Sequence, residues 1–397
     1  MVPASTIISG NAQVAQTSVS GRVSKQFSTS IPVEKTYSRT FSLVVRPVGD
    51  TCNLRCAYCY LAGGVAAPLR VMTPELGREM VRECACSFDD VQLLWHGGEP
   101  LLAGMGFFRE ILAEQRKYPH CRFVNFLQTN GISITPDIAN FLAENHFRVR
   151  LSLDGPEAVH NRFRKTKNSK GTFVQVLTAI EHLRRAGLKL NISCVMTDES
   201  IAEIPAIYRL LLEQGILNAS FLPAFHARDG EILPPTLSPD GYVAAYLKLF
   251  DIWSRDRSGM RIREIEWMVS GLLGSPRGGD CTFSGQCGDI MRLEPDGAFY
   301  ACEVLDSGQK HAAAPMGMFD QLLLTDLSAA AQLARYGAPG TPSHSPTCSN
   351  CEWFRLCHGG CPAVRTREKT DNVGNFYYCA ARKELFEELR MRLEVTS

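Results

Sequence analysis

The sequence predicts an α/β fold with a parallel sheet, followed by a small, loop-rich domain. Between about Tyr37 and Phe225, six short β-rich segments alternate with amphipathic helical segments. Repeated β/α units form parallel sheets, which are either open or closed into a barrel. From Cys281 onward the chain is dense in cysteine and rich in loops, which is typical of a small domain stabilised by bound metal.

The first three β/α steps have recognisable start and stop signals. The segment FSLVVRP predicts the first strand, and a loop that contains cysteines follows it. The next helix, TPELGREMVREC, has a threonine cap and a proline at its first position. VQLLWHGG then predicts a strand before the helix MGFFREILAEQRKY, and RFVNFLQTNG predicts a strand before the capped helix TPDIANFLAENH.

The following segments continue the alternation to a sixth strand. FRVRLSLDGP and LKLNISCVMT predict strands, and the helices TFVQVLTAIEHLRRAG and IAEIPAIYRLLLEQG follow them. NASFLPAF predicts the last strand, and CAARKELFEELRMRLE predicts a later amphipathic helix. Because ligands bind at the carboxyl ends of parallel strands, we expect the cysteine loop, GGEP, QTNG and SLDG to share one rim of the sheet.

Composition excludes several classes of protein and limits the roles that the cysteines can have. A net charge of +1 over 397 residues gives no basic field for nucleic acid, and no apolar run is long enough to span a bilayer. The polar first residues lack the features of a secretory signal, so we expect a cytoplasmic protein. Fifteen cysteines in such a chain favour metal binding or catalysis over disulfide bonds.

Three cysteines, Cys52, Cys56 and Cys59, lie within the loop after the first predicted strand. A cubic 4Fe-4S cluster usually takes four cysteine thiolates, so three thiolates leave one iron open to a small molecule. A structural zinc ion would need four ligands, commonly in pairs, and this spacing fits that alternative poorly. The loop therefore predicts an iron–sulfur cluster with one open coordination position.

The same loop resembles the signature of the radical S-adenosylmethionine (SAM) enzymes, Cys-x3-Cys-x-aromatic-Cys, with Tyr58 at the aromatic position. The resemblance implies an α/β fold of the radical SAM type, a partial (β/α)6 barrel, in which the open iron binds SAM. Reductive cleavage of SAM would give a 5′-deoxyadenosyl radical that removes a hydrogen atom from an unactivated carbon. In such enzymes the cofactor carries the difficult chemistry, and the protein orients and shields it.

Further residues at the predicted rim match positions that contact SAM in this family. GGEP follows the second strand, where two glycines permit close backbone approach and the glutamate can accept a charge-assisted hydrogen bond. SLDG ends the fourth strand and a basic run, HNRFRKTKNSK, follows it; ordinary turn polarity and a solvated loop are the alternative interpretations. The resemblance implies SAM contacts from Tyr58, Gly97, Gly98, Glu99, Ser152, Asp154 and Arg164.

Eight cysteines between Cys281 and Cys379 resemble the SPASM extension of radical SAM enzymes. The element from Gly297 to Cys302 matches this extension, and the segment WFRLCHGGCP is similar to anaerobic sulfatase-maturating enzymes; zinc knuckles are the alternative. Eight thiolates suffice for two fully ligated 4Fe-4S clusters, which makes three clusters in all. The resemblance assigns auxiliary cluster I to Cys281, Cys287, Cys302 and Cys361, and auxiliary cluster II to Cys348, Cys351, Cys357 and Cys379.

Glu303 directly follows the third of these cysteines, where the resemblance implies a catalytic base. The related enzymes usually carry aspartate at this position, so the longer side chain favours a broader activity than sulfatase maturation. Partial burial would give such a carboxylate the raised pKa that a base needs. A polar carboxylate beside a cluster is the alternative interpretation.

The sequence therefore predicts an enzyme, a radical SAM oxidoreductase that modifies a peptide or protein. The main hypothesis is a peptide maturase that leaves a crosslinked or oxidised side chain. The alternatives are a sulfatase maturase that converts serine or cysteine into formylglycine, a small-molecule SPASM dehydrogenase, and an iron–sulfur electron carrier. The expected partners are a peptide or protein substrate and an electron donor such as flavodoxin or ferredoxin, with neither nucleic acid nor membrane.

The predicted chain has four regions. Residues 1–38 form a weakly ordered extension, and residues 39–235 form the radical SAM core. Residues 236–280 form a linker that contains a helix. Residues 281–397 form the SPASM domain with two auxiliary clusters and the last helix.

Overall fold

The computed structural model describes most of the chain from Thr40 onward. The described residues are 40–61, 69–228, 231–274, 283, 290–304, 315–319, 346–361, 364 and 376–396. The predicted extension and two predicted ligands, Cys281 and Cys287, lie outside them. Within the described residues, no helix has both the length and the apolar character needed to cross a membrane.

Six parallel strands that alternate with helices form the centre of the main sheet. They are β1 (Thr40–Val45), β2 (Asp90–Trp95), β3 (Arg122–Thr129), β4 (Arg148–Ser152), β5 (Asn191–Met196) and β6 (Asn218–Pro223). Each pairs in parallel with the next in sequence. In the described part of the chain the sheet does not close on itself, which confirms the α/β fold and the partial (β/α)6 barrel.

Helices connect these strands and continue beyond them. They are α1 (Pro74–Ser87), α2 (Gly104–Gln115), α3 (Pro136–Glu144), α4 (Glu157–Phe163), α5 (Phe173–Arg185), α6 (Ile204–Glu213), α7 (Pro239–Trp253), α8 (Arg263–Leu272), α9 (Pro346–Ser349), α10 (Phe354–Cys357) and α11 (Cys379–Thr396). The predicted threonine caps of α1 and α3 are present. Thr73 accepts a hydrogen bond from the Leu76 N–H (3.2 Å), and Thr135 accepts one from the Ile138 N–H (3.3 Å).

Later segments extend both edges of the main sheet. A short strand, β9 (Arg261–Ile262), pairs in parallel with β6, and β10 (Ile290–Leu293) pairs in parallel with β1. Two antiparallel strands, β11 (Ala298–Tyr300) and β12 (Gly317–Met318), continue outward from β10; β7 (Ala227–Arg228) and β8 (Glu231–Ile232) form a separate ribbon. Residues that the sequence assigned to a linker and to a separate domain therefore add strands to the sheet of the core.

One continuous apolar core joins the barrel to the later helices. Met268 of α8 and Phe386 of α11 belong to this core and have no exposed surface. A smaller apolar cluster of Tyr58, Phe163 and Ala224 lies beside the cysteine loop. The cysteine loop therefore rests on packed side chains at the carboxyl ends of the strands, which is where a site on such a barrel is expected.

Candidate active site

The cysteine loop leaves the carboxyl end of β1 and is fastened to the segment that ends α4. Its Arg55 and Ala57 N–H groups donate to the carbonyl oxygens of Lys165 (2.8 Å) and Phe163 (3.0 Å). The three cysteines of the loop are half-buried, and none of them forms a disulfide bond. All three sulfurs of the loop are therefore present as thiols rather than in disulfide bonds.

The glycines of GGEP let the cysteine loop lie directly against the end of β2. The Gly98 N–H donates to the Gly49 carbonyl (2.9 Å), and the Glu99 N–H donates to the Thr51 carbonyl (2.9 Å). A Cβ atom on Gly98 would stand 1.9 Å from the Thr51 carbonyl oxygen, and Gly97 has a φ of +100°. The close backbone approach that the sequence predicted is thus an approach to the cysteine loop itself.

Glu99 is fully buried and ties β2 to the end of β3. Its carboxylate accepts hydrogen bonds from the Thr129 hydroxyl (2.8 Å), the Asn130 N–H (2.9 Å) and the Leu101 N–H (3.2 Å). Burial raises the pKa of Glu99, and these three hydrogen bonds lower it again in part. A carboxylate has about four acceptor positions, so the protein itself uses most of those on Glu99.

Three of the predicted SAM contacts form one buried cluster at the end of β4. Arg164 Nε and Nη2 donate to the two oxygens of Asp154 (2.8 and 3.2 Å), and the Tyr58 hydroxyl also donates to this carboxylate. The Val195 N–H donates to Asp154 Oδ1 at 3.0 Å. Because Asp154 has no exposed surface, this ion pair links the cysteine loop to β4 and β5 inside the protein.

A histidine that the sequence analysis did not select supports this cluster. The Asp154 N–H donates to His160 Nδ1 (3.3 Å), and His160 Nε2 lies 3.1 Å from Thr172 Oγ1. Burial lowers the pKa of His160 to about 4, so the ring is neutral near pH 7. Ser152, the remaining predicted contact, accepts a hydrogen bond from Gln128 Nε2 at 3.1 Å.

Glu303 lies at the same rim, because the pairing of β10 with β1 carries it to the end of β1. Arg46 Nη2 (2.8 Å) and Nε (3.2 Å) donate to Glu303 Oε1. The Tyr60 hydroxyl donates to the same oxygen at 3.0 Å, and His96 Nδ1 lies 3.1 Å from it. Tyr60 belongs to the cysteine loop and His96 precedes GGEP, so Glu303 lies beside both motifs.

The expectation of a raised pKa for Glu303 is wrong. Burial by itself would raise the pKa of this carboxyl, but the Arg46 guanidinium and the His96 ring hold it well below its usual range. Its side chain is 17% exposed, whereas that of Arg46 is 2% exposed. The carboxylate is therefore ionised, and the exposed part of the side chain does not include Oε2, which is buried.

The four cysteines assigned to auxiliary cluster II line one pocket. This pocket lies between α9, α10 and the start of α11, and Arg382 also lines it; its cysteines are Cys348, Cys351, Cys357 and Cys379. Of the set assigned to auxiliary cluster I, Cys302 is half-buried and Cys361 is buried. The other two members of that set lie outside the described residues.

The donor sets suit clusters better than single ions. No group of three His, Cys, Asp or Glu side chains within the described ranges is arranged to hold one metal ion. A cubane carries its irons at its corners, so its thiolate ligands stand farther apart than the ligands of a single ion. Half-buried cysteines around a pocket, with no disulfide among the described cysteines, fit that larger group.

Three residues of the Glu303 site were missed by sequence reasoning. Arg46 directly follows β1, His96 directly follows β2, and Tyr60 follows the last cysteine of the loop. A charged or polar side chain at the carboxyl end of a buried strand was the available signal for the first two. Nothing in the sequence near Tyr60 distinguished it from its neighbours.

Comparison with known proteins gives consistent results. The family model of the radical SAM superfamily matches residues 47–211. A cysteine-type anaerobic sulfatase-maturating enzyme of Clostridium perfringens (strain 13 / Type A) is 31% identical over 367 residues, which cover 89% of this chain and 97% of that protein. A serine-type anaerobic sulfatase-maturating enzyme of Bacteroides thetaiotaomicron is 27% identical, and the match covers 89% of this chain and 90% of that protein.

A solved structure agrees with these relatives. Native anSMEcpe with bound AdoMet and Cp18Cys peptide superposes with a TM-score of 0.78 at 28% identity, over 90% of this chain and 99% of that one. The superposition therefore extends well beyond the part matched by the superfamily model. The chain belongs to the radical SAM superfamily, in the family of the anaerobic sulfatase-maturating enzymes.

Proposed function

We propose that this protein is an anaerobic sulfatase maturase, which oxidises a serine or cysteine side chain in a sulfatase peptide to formylglycine. The observation that carries this proposal is the similarity to both cysteine-type and serine-type maturases over 89% of the chain. The relative captured with a bound peptide supports a peptide substrate here as well. This activity is the alternative that the sequence analysis ranked below a crosslinking maturase, and the relatives favour it.

The cysteine loop is the proposed holder of the catalytic cluster. Cys52, Cys56 and Cys59 would ligate a 4Fe-4S cluster with one open iron, and SAM would bind at that iron. When bound, this pair supplies a 5′-deoxyadenosyl radical that removes a hydrogen atom from the substrate carbon. The Asp154–Arg164 pair would shape the SAM side of the rim.

The remaining cysteines are the proposed ligands of two auxiliary clusters, which would make three clusters in all. Clusters with four thiolate ligands are suited to electron transfer, so the protein would act as an oxidoreductase. An electron donor such as flavodoxin or ferredoxin would supply the reducing electron. The pocket lined by four cysteines supports the outer of these two assignments.

Glu303 is the proposed proton acceptor. Bringing a CH2OH or CH2SH carbon to the aldehyde or thioaldehyde level removes a hydrogen atom from carbon, which the 5′-deoxyadenosyl radical would take, one further electron, which an auxiliary cluster would accept, and the proton of the hydroxyl or thiol. Hydrolysis of the thioaldehyde, with release of hydrogen sulfide, would then give the same aldehyde from cysteine. Glu303 is ionised and 17% exposed, so it can hold that hydrogen bond. Its pKa is low, so Glu303 would take up the proton only as the substrate radical loses its electron and its hydroxyl or thiol becomes strongly acidic.

One observation favours a second candidate function, a peptide maturase that forms a crosslink. Glu303 replaces the aspartate usual in the family, and a longer side chain changes where the carboxylate stands relative to a bound peptide. A peptide maturase that forms a crosslink would use the same radical and the same rim. The chemistry of the peptide product separates the two candidates.

The test is anaerobic incubation of reconstituted protein with SAM, reductant and a peptide that carries a Cys/Ser-x-Pro-x-Arg motif. A matched peptide with alanine at the reactive position is the control. We expect an aldehyde that a hydrazide probe traps on the test peptide alone, together with 5′-deoxyadenosine. A product that has lost hydrogen but does not react with the probe would contradict sulfatase maturation and would support the crosslinking peptide maturase.

A further inference from the structure

Arg382 is a buried cation that lies against the cysteine pocket. It is 3% exposed, and its Nη1 donates to Cys357 Sγ at 3.5 Å. Its guanidinium carbon also stands 4.0 Å from the ring centre of Phe283 and 4.5 Å from that of Phe376. The cation is thus held between two aromatic faces with one N–H directed at a sulfur.

This arrangement favours negative charge nearby. A guanidinium removed from water is costly unless anionic or hydrogen-bonding groups compensate it. Arg382 and Cys357 belong to the same pocket as the other three cysteines assigned to auxiliary cluster II. Four thiolates that hold a cluster supply negative charge at the place where the cation lies.

The start of α11 adds a second favourable field. Cys379 is the first residue of this 18-residue helix, and Arg382 follows in the same turn. The amino end of a helix carries partial positive charge from its N–H groups. Both the helix end and the guanidinium therefore favour an anionic group in the pocket, and each favours a more negative group over a less negative one.

We propose that Arg382 is a positioning residue that raises the reduction potential of the iron–sulfur cluster held by Cys348, Cys351, Cys357 and Cys379. Reduction adds one negative charge to a cluster, and hydrogen bonds to its sulfurs and the surrounding net charge set the potential. The N–H bond to Cys357 and the positive charge both stabilise the reduced form. This inference rests on the cluster assignment made under the proposed function, but not on the identity of the peptide product.

The test uses full-length protein in which Cys52, Cys56 and Cys59 are all replaced by alanine, so that only the auxiliary clusters remain. Midpoint potentials are read by redox titration monitored by electron paramagnetic resonance, with iron counted in each sample. In Arg382→Met, we expect the equilibrium constant for reduction of one cluster to fall at least tenfold. This change lowers the midpoint potential of that cluster by about 59 mV for one electron. Arg382→Lys keeps the charge and loses the planar fork, so its shift should be smaller.

Arg392→Met is the matched control, because it removes the same charge from the same helix. Arg392 pairs with Asp251 of α7 rather than with a cysteine, so its loss should leave both midpoints unchanged. Equal midpoints in Arg382→Met and in the parent protein overturn the proposal, as does an Arg392→Met shift of the same size.

Three further outcomes are also decisive. If Arg382→Met does not retain iron, Arg382→Lys is measured, and an unshifted midpoint in that variant overturns the proposal. If Cys357→Ala loses no iron from the background protein, no cluster occupies the pocket and the proposal falls with the assignment. If the midpoint shifts but protein with its three loop cysteines intact forms no formylglycine, the proposed activity fails and the role of Arg382 stands.

Discussion

Tyr58 and Tyr60 flank Cys59, and each donates its hydroxyl to a carboxylate that an arginine also binds. The carboxylate partners, Asp154 and Glu303, differ in their surroundings. Asp154 has no exposed surface and also accepts an N–H from β5. The Glu303 side chain is 17% exposed and adjoins a histidine. The cysteine loop is thus held on one side by a fully buried ion pair and on the other by a pair whose glutamate side chain keeps some exposed surface.

This difference indicates a structural role for Asp154 and a role in the reaction for Glu303. A sealed pair with every oxygen occupied fixes the loop but has no room for a proton or a substrate group. The Glu303 side chain keeps some exposed surface, so we expect a substrate to meet this pair rather than the other, and its arginine keeps the carboxylate ionised. We therefore expect substitutions at Asp154 to act through stability and cluster assembly, and substitutions at Glu303 to act on the peptide reaction.

The largest effect should come from disrupting the contact between the cysteine loop and the end of β2, because both ion pairs depend on the position of this loop. Gly98→Ala would place a Cβ 1.9 Å from the Thr51 carbonyl oxygen, so the cysteine loop could not lie against β2. We expect loss of the SAM cluster and of all 5′-deoxyadenosine formation, measured by iron counting and chromatography. Gly106→Ala is the control, since a Cβ there meets nothing within 4 Å. Normal SAM cleavage in Gly98→Ala would contradict this account of the loop.

Glu303→Gln should affect the peptide reaction more than any earlier step. It keeps the shape of the side chain but cannot take up a proton, and proton acceptors typically contribute roughly 10²–10⁴-fold to rate. We expect the rate of aldehyde formation to decrease by roughly 10²–10⁴-fold, while 5′-deoxyadenosine formation in the presence of peptide persists. Glu303→Asp, which restores the residue usual in the family, should recover most of the activity. A parallel loss of both products in Glu303→Gln would assign Glu303 to support instead.

Asp154→Asn should mainly lower stability. The substitution leaves the Arg164 guanidinium, 8% exposed, without its ion-pair partner, and removing one member of a buried pair costs about 3–5 kcal/mol. Anaerobic denaturant unfolding measures this cost. A free energy of unfolding within about 1 kcal/mol of the parent value is typical of a solvent-exposed ion pair. That result would contradict the burial of the Asp154–Arg164 pair.

The two tyrosines give the smallest and most direct comparison. Tyr58→Phe removes a hydrogen bond to a fully buried carboxylate, which costs about 1.5–3 kcal/mol. Tyr60→Phe removes one from a carboxylate that keeps two N–H bonds from Arg46, so we expect about 1 kcal/mol. The same unfolding assay ranks them, and an equal cost would remove the distinction between the two sides of the loop.

Local patterns predicted much of this site. The six β/α steps follow from hydrophobic periodicity, and the shared rim follows from the direction of parallel strands. The sequence also placed Tyr58, Asp154 and Arg164 in one site through family resemblance, and the structure joins them directly.

Long-range pairing accounts for what the sequence did not predict. Glu303 meets Arg46 because β10 pairs with β1 across about 250 residues of chain, and no local periodicity encodes that pairing. The low pKa of Glu303 depends on this contact, so it could not be predicted from burial alone. The glycines of GGEP were expected to approach a ligand closely, but the neighbour that requires them is the backbone of the cysteine loop.

Isotope transfer tests the central claim most directly. A motif peptide deuterated at the β-carbon of its reactive serine or cysteine would be incubated anaerobically with the protein, SAM and reductant, and both products would be analysed by mass spectrometry. The account predicts deuterium in 5′-deoxyadenosine and an aldehyde at the labelled carbon. Unlabelled 5′-deoxyadenosine from an unchanged peptide would contradict it.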